Sequence, residues 1–253
     1  METICEVIVG STLYGLANEN SDLDKKGVFF GSRETVIPSE DHYFGLKPID
    51  TKDRVESVVG EGKDKVEMTL YSTKYFFQLY MKGNPTLAEL PFADKKYWTI
   101  DTYYGDKMMT FIRENMVTQH LFNGYYGYYH DQIKCFVQKS GVHREKRREL
   151  VEKFGFDCKM ASHAYRIGVQ GAELFTTGRI TPTMSGEELK TALALKQGGH
   201  HTREEVIGLV KELGEKMKVA KENSTLPKEP DFDKVNNFCV ELHKEYYYGK
   251  KDN

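Results

Sequence analysis

The chain has 253 residues and a mass of 29.2 kDa, which allows one large or two modest domains around a sizeable core. Hydrophobic residues at 39%, charged residues at 29% and a formal net charge of −2 mark an ordinary globular protein and exclude a uniformly basic nucleic-acid binder. No run of about 18 apolar residues is present, and Met1-Glu2-Thr3 lacks the basic-then-apolar pattern of a signal peptide, so the expected location is cytoplasmic, without a membrane partner.

Thr3 to Val9 is a β-branched run that predicts a buried strand ending at Gly10. Gly10 lets the backbone turn, and Ser11 to Leu16 is expected to open a helix. Its free N–H groups, together with the Ser11 hydroxyl, form a concentration of donors that suits a phosphate. Ten residues separate Ser11 from Asp22-Leu23-Asp24, which lead into a second strand over Lys25 to Phe30. Side chains alternate across a strand, so Asp22 and Asp24 share one face and Leu23 takes the other. Two such carboxylates repel unless a cation sits between them. Mg2+, with Mn2+ as its substitute, suits a carboxylate pair completed by phosphate oxygens and water. A phosphate cradle beside a metal-binding pair reads as a nucleotidyl-transfer site.

Further strands are expected over Arg54 to Val59 and Lys65 to Tyr71, with a polar stretch from Ser39 to Asp53 before them. If one metal ion holds a triphosphate and another activates a hydroxyl, a third carboxylate is needed on a neighbouring strand. In Val66-Glu67-Met68-Thr69-Leu70, the residues Val66, Met68 and Leu70 alternate as a core face and leave Glu67 on the other side. Asp64 and Glu61 are rivals nearer the turn.

Beyond residue 72 helical periods dominate. Ser72 is expected to cap a helix running to Met81, and Pro85 to Leu90 forms a short helix begun by proline. Amphipathic stretches follow over Thr102–His120, Phe122–Gln138, Glu145–Phe154, Lys159–Thr176, Gly186–Leu195, Arg203–Asn223 and Phe232–Tyr247. The expected class is therefore α+β, with a small mixed sheet over residues 1–90 carrying the site. A helical region over 91–253 packs beside it, and the cleft lies between the two.

Several other features carry two readings. Lys139 to Arg148, with Lys139, His143, Arg144, Lys146, Arg147 and Arg148, is the densest basic stretch; it is either a solvated helix face or an RNA contact. Phe122, Tyr125, Tyr126, Tyr128 and Tyr129 could stack bases, but Gly124, Gly127 and helical spacing favour close helix packing. His200-His201 reads as surface, and Cys5, Cys135, Cys158 and Cys239 stand singly, suggesting neither a zinc site nor a disulfide framework. Lys159, His163 and Arg166, at offsets of four and seven, share a helical face. They form either an exposed basic stripe or a cleft wall that binds phosphates. An EF-hand-type calcium loop starting at Asn20 fails at Lys25, where glycine is usual, and at Gly31, where a bidentate glutamate is usual.

In order, Val9-Gly10-Ser11, Asp22-Leu23-Asp24 and Val66-Glu67-Met68 resemble the signature of the DNA polymerase β nucleotidyltransferase superfamily. Gly10-Ser11-Thr12-Leu13-Tyr14-Gly15-Leu16 and Ser21-Asp22-Leu23-Asp24-Lys25-Lys26-Gly27-Val28 are similar to an RlaP-like branch of stand-alone members. So are Lys82 to Thr86 with Glu89-Leu90, Lys159 to Arg166, Thr177 to Ile180 and Leu226-Pro227, which extends the resemblance over nearly the whole chain. Two departures stand out: Lys25 where the superfamily usually has an apolar residue, and Glu67 where aspartate is commoner. The resemblance implies metal-dependent transfer of a nucleoside monophosphate from a nucleoside triphosphate to an acceptor hydroxyl. Asp22, Asp24 and Glu67 would be catalytic and metal-binding, while Gly10, Ser11, Lys159, His163 and Arg166 would bind the nucleotide. Asn84 and Glu89 would line the cleft, or else be a helix-end and a core-polar residue. RNA is the preferred acceptor, on the basic stretch and on the RNA-repair association of some relatives; a protein side chain or a small molecule also offers a hydroxyl. A nucleotide-binding module without turnover is the alternative, and three converging acids argue against it.

Overall fold

The β-branched run at the start of the chain becomes β1 (Glu2–Val9), an interior strand hydrogen-bonded on both sides. The computed structural model describes residues 2–31, 53–61, 64–137 and 145–249. Within them β2 (Leu23–Phe30), β3 (Arg54–Val59), β4 (Val66–Ser72) and β5 (Trp98–Asp101) complete a five-stranded mixed sheet in the order β3-β4-β2-β1-β5. β1 runs antiparallel to β2 and β5, β3 antiparallel to β4, and β2 parallel to β4. Ile4, Cys5, Glu6 and Val7 are all buried, as expected for a strand covered on both faces.

The sheet extends further along the chain than the sequence pattern indicates. β5 is only four residues long and follows two short helical segments, so its period is too brief to read; its place is fixed by pairing with β1, where Cys5 faces Asp101. Thr102 then caps the next helix, and its hydroxyl also donates to the Ile4 carbonyl at 2.7 Å, which ties the sheet edge to the helical region.

Ten helices are assigned among the described residues. α1 (Gly10–Leu13) is a single turn, shorter than the Ser11–Leu16 expected, because Gly15 takes φ +75° and ends it. α2 (Thr73–Met81) is capped by Ser72, whose hydroxyl accepts from the Tyr75 N–H at 3.2 Å. α3 (Pro85–Ala88) is capped by Asn84, and α4 spans Tyr103–Asn115. α5 (Phe122–Val137), α6 (Glu145–Phe154), α7 (Cys158–Thr177), α8 (Gly186–Gln197), α9 (Arg203–Glu222) and α10 (Phe232–Tyr248) complete the helical region.

α7 is the central helix, with Ala161, Ala164, Ile167, Leu174 and Phe175 buried, and it packs against α5, α8 and α9. The aromatic residues of α5 belong to this packing. Tyr125 and Tyr129 are fully buried, and Gly124 sits where any Cβ would strike the Lys82 carbonyl, so the helix reaches its neighbour through a glycine. His200 is exposed, and the four cysteines are free thiols. No helix among the described residues is long and apolar enough to cross a membrane. The stretch from Lys139 to Arg144 lies outside the described residues, as do the side chains of Lys146, Arg147 and Arg148.

Candidate active site

Parallel pairing of β2 with β4 brings the predicted acids together. Asp24 and Glu67 are direct lateral partners in that ladder, and Asp22 sits one residue before β2. The chain from 23 to 30 is a sheet strand, where the calcium-loop reading of Asn20 onward requires a loop wrapped around the ion. Glu61 and Asp64 are exposed in the β3–β4 turn, closed by a 3.2 Å bond from the Asp64 N–H to the Glu61 carbonyl, and do not pair with Asp24.

The Gly10 turn abuts the same carboxylate. Val9 pairs with Asp24 across β1 and β2, and Gly10 follows with φ +66° at a spot where a Cβ would collide with Asp24 Oδ2. Glycine is required twice over, for the left-handed backbone and for the close approach. Ser11 is half-buried at the start of α1, beside this contact.

The acids affect one another. The Asp24 carboxyl is pushed above the usual carboxylate range, first by burial and then by the Glu67 and Asp22 charges, while Lys159 and Lys26 pull it back. Lys65 answers part of the repulsion: its ammonium pairs with Glu67 and lies 3.7 Å from Asp22 Oδ2. Among the described residues no three His, Cys, Asp or Glu side chains converge tightly enough to hold a metal ion as they stand. The donor set, three hard carboxylate oxygens on one sheet surface, nonetheless fits a magnesium-like cation.

Lys25, the departure from the superfamily pattern, turns to the other face. Its ammonium pairs with Glu6 Oε1 at 2.7 Å, which also accepts from the Thr99 hydroxyl at 2.5 Å, away from the acids. Lys26, two residues on from Asp24, shares the site face and reaches α3, donating to Thr86 Oγ1 at 2.6 Å and to the Thr86 carbonyl at 3.1 Å. Burial lowers the Lys26 ammonium to about 8, against the nearby Glu89 and Asp24 charges.

The basic residues of α7 separate into two environments. Lys159 is exposed at the first turn and its charge is felt by Asp24. His163 and Arg166 instead turn into the fold. Arg166 is 1% exposed and donates to Glu89 Oε2 at 2.8 Å and to Gln170 Oε1 at 2.5 Å, and its guanidinium carbon lies 3.6 Å from the centre of the Tyr14 ring. His163 Nδ1 lies 3.2 Å from the same guanidinium, and burial, reinforced by Arg166, holds its imidazole well below the ordinary value. An open cleft wall of three basic side chains is therefore not what the fold presents: helical periodicity placed them on one face but could not tell which end of that face is covered. Asn84 and Glu89 take the structural alternative. Asn84 caps α3, and Glu89 is buried, accepting from the Tyr14 hydroxyl at 2.6 Å and from Arg166.

Sequence reasoning missed Tyr14, Lys26, Lys65 and Gln170. Alternation from Asp24 could have placed Lys26 on the site face, and alternation from Glu67 could have done the same for Lys65. Gln170 is marked locally only by its i+4 spacing from Arg166 on α7; its other partners, the Thr181 and Pro182 carbonyls, lie beyond that helix.

A family model for RlaP, the RNA repair pathway DNA polymerase beta family, matches residues 1–241. A stretch of 91 residues is 33% identical to an uncharacterized 38.9 kDa protein of the nrdC-mobD intergenic region of Enterobacteria phage T4, covering 36% of this chain and 25% of that protein. The chain thus spans about a quarter of the length of this curated relative. No solved structure matches the chain.

Proposed function

Because this chain belongs to the RNA repair pathway DNA polymerase beta family, whose members are nucleotidyltransferases in kind, we propose that it moves a nucleoside monophosphate from a nucleoside triphosphate to an acceptor hydroxyl, releasing pyrophosphate. The observation that carries this reading is the lateral pairing of Asp24 with Glu67, with Asp22 alongside and the Gly10 turn pressed against the Asp24 carboxylate. Phosphate-binding turn and acids would then form one unit, reached by a triphosphate and its cations once the Lys65 ammonium moves aside.

Each residue has a part. The Ser11 hydroxyl and the N–H groups of the Gly10 turn hold the outer phosphates, and exposed Lys159 offsets their charge. Asp22, Asp24 and Glu67 would hold divalent cations, Mg2+ or Mn2+, which when bound neutralise phosphate charge and lower the pKa of the attacking hydroxyl. Glu67, with its side chain 42% exposed, receives the proton of the acceptor and orients its oxygen. Catalysis is then positioning plus charge neutralisation.

RNA is the acceptor favoured here, supported by the family's RNA repair description and by the basic stretch from Lys139 to Arg148. A second reading, a nucleotide-binding module without turnover, is supported by Lys65 lying between Asp22 and Glu67 where a cation would be needed. One experiment separates these readings. Each labelled nucleoside triphosphate is incubated with Mg2+ and RNA, protein or small-molecule acceptors, and the fraction retaining label is identified. Label on RNA that Asp24→Asn abolishes is the expected result; label only on protein or a small molecule would reassign the acceptor, and binding without label would favour the module.

A further inference from the structure

We infer that Tyr14, Glu89 and Arg166 form a buried strut that fixes the Gly10–Leu13 turn, so that Arg166 is a positioning residue for nucleotide binding and does not itself touch phosphate. Its functional consequence rests on the reading of that turn as the phosphate cradle.

Tyr14 is the residue at which α1 ends, and its own N–H bonds back to the Gly10 carbonyl at 3.2 Å. Any displacement of Tyr14 is therefore a displacement of the turn. Its side chain is held at two points by opposite charges from two different elements. The hydroxyl donates to Glu89 Oε1 at 2.6 Å, just beyond α3, and the ring face carries the Arg166 guanidinium from α7 at 3.6 Å. Glu89 and Arg166 close the triangle with an ion pair at 2.8 Å in which both side chains are 1% exposed.

A second route leads from Arg166 to the same turn. Gln170 accepts from Arg166 at 2.5 Å and donates through Nε2 to the carbonyls of Thr181 and Pro182 at 3.2 and 3.1 Å. The next two residues bond the turn's own backbone: the Thr183 hydroxyl donates to the Leu13 carbonyl at 2.8 Å, and the Met184 N–H to the Tyr14 carbonyl at 3.2 Å. Arg166 thus braces the turn through a side chain on one side and through backbone on the other.

The energetics point the same way. A buried ion pair contributes little net stability, because desolvation of two charges offsets their attraction, and well-packed apolar residues often serve as well or better. Arg166 Nε is in addition buried without a hydrogen-bond partner, a cost that a merely space-filling residue would avoid. What the charged pair supplies is directional: fixed bonds to Tyr14 and Gln170. At 1% exposure Arg166 has no open path to phosphate, and swinging out to reach one would take the counter-charge away from buried Glu89.

Two measurements on the full chain test this. Hydrogen exchange of residues 10–16 reads the strut without reference to function, and calorimetric titration with a non-hydrolysable nucleoside triphosphate analogue and Mg2+ reads its consequence. Tyr14→Phe removes one hydroxyl and keeps the ring, so the fold should survive. Glu89→Gln with Arg166→Met removes both charges together and avoids a lone buried charge. Both are expected to raise exchange at residues 10–16 above that of β1 and to weaken analogue binding about tenfold. Adding Tyr14→Phe to the double variant should then cause no further loss, since one brace is already gone. Unchanged exchange at residues 10–16 in both variants overturns the strut. So does wild-type affinity in Tyr14→Phe beside lost affinity in the charge-free variant, the pattern of a direct phosphate ligand. If wild-type protein binds no nucleoside triphosphate at all, the proposed function fails, while the exchange data still decide the strut.

Discussion

Asp24 and Glu67 face each other across the parallel β2–β4 ladder, and the Asp24 carboxyl is held above its ordinary range by burial and by that neighbour. A carboxylate in this position is destabilised until a proton or another cation joins it.

Asp24→Asn should therefore remove transfer activity by about a thousandfold or more, while leaving Tm level or higher because a repelled, half-buried charge is gone. Turnover and thermal melts measured side by side check both halves. Near wild-type turnover in this variant would sink the catalytic assignment.

Glu67→Gln should separate binding from chemistry. The Glu67 side chain is 42% exposed and is paired with Lys65, so the triphosphate should rely mainly on the aspartates. Calorimetry with Mg2+ and a nucleotide should show affinity retained within a few-fold, with single-turnover rates down by orders of magnitude. Lost affinity with a preserved rate would point away from Glu67 and towards Asp64.

Lys65→Met tests the ammonium between Asp22 and Glu67. The pair is part-exposed, with Lys65, Asp22 and Glu67 side chains at 26, 38 and 42%, so the loss of stability without metal should stay below ~1 kcal/mol. The rise in Tm on adding Mg2+ should exceed that of the wild type, because no internal cation competes. An identical Mg2+ response in both proteins would show that Lys65 does not occupy the cation's place.

Gly10→Ala should damage stability and nucleotide affinity together. A left-handed backbone costs a non-glycine residue ~1–2 kcal/mol, and the added Cβ must push the Asp24 carboxylate aside. Denaturant melts and analogue titration should both worsen; a variant that melts earlier yet binds normally would dissociate the turn from the phosphate cradle.

Acid sensitivity has a source outside the site. His243 on α10 is buried, its Nδ1–H donates to the Cys239 carbonyl at 2.6 Å, and its Nε2 accepts from the Thr73 hydroxyl at 2.7 Å. Burial lowers this imidazole from about 6.5 to about 4. The unfolded chain therefore binds a proton that the folded chain refuses, and the contribution to stability is complete above about 6.5 and lost as pH falls towards about 4. That interval corresponds to ~3 kcal/mol. Urea midpoints taken across it should fall steeply in the wild type and less steeply in His243→Gln; the slope is reduced, not abolished, since the half-buried His163 imidazole, also held below its ordinary value, acts in the same direction. Equal slopes would exclude His243 as the cause.

The fold was legible wherever one period ran long enough. Arg54–Val59 and Glu145–Phe154 fall where alternation and helical spacing put them, and Ser72 and Pro85 mark helix starts by their own chemistry. The placing of Asp24 and Glu67 side by side was legible because strand alternation fixes a face and the motif spacing fixes the strand. β5 was not, since four residues carry too little pattern, and its identity depends on a partner about ninety residues earlier. The surroundings of Arg166 were not legible for a related reason: the helical face it occupies could be read, but whether Glu89 and Tyr14 would meet it depends on how α3 and α1 dock, which no local pattern encodes.

β5 also bears on any attempt to shorten the protein. A fragment ending at residue 90 would carry every acid of the site, yet it would strip β1 of Trp98–Asp101 and leave its outer backbone groups open along a hydrophobic strand. Such an edge recruits other chains. Glu89 would meanwhile lose the Arg166 cation and remain as a lone charge in what had been the interior. A minimal piece cut at that point is expected to aggregate, and a shortened version must reach at least through α7 to keep both the sheet edge closed and the carboxylate answered.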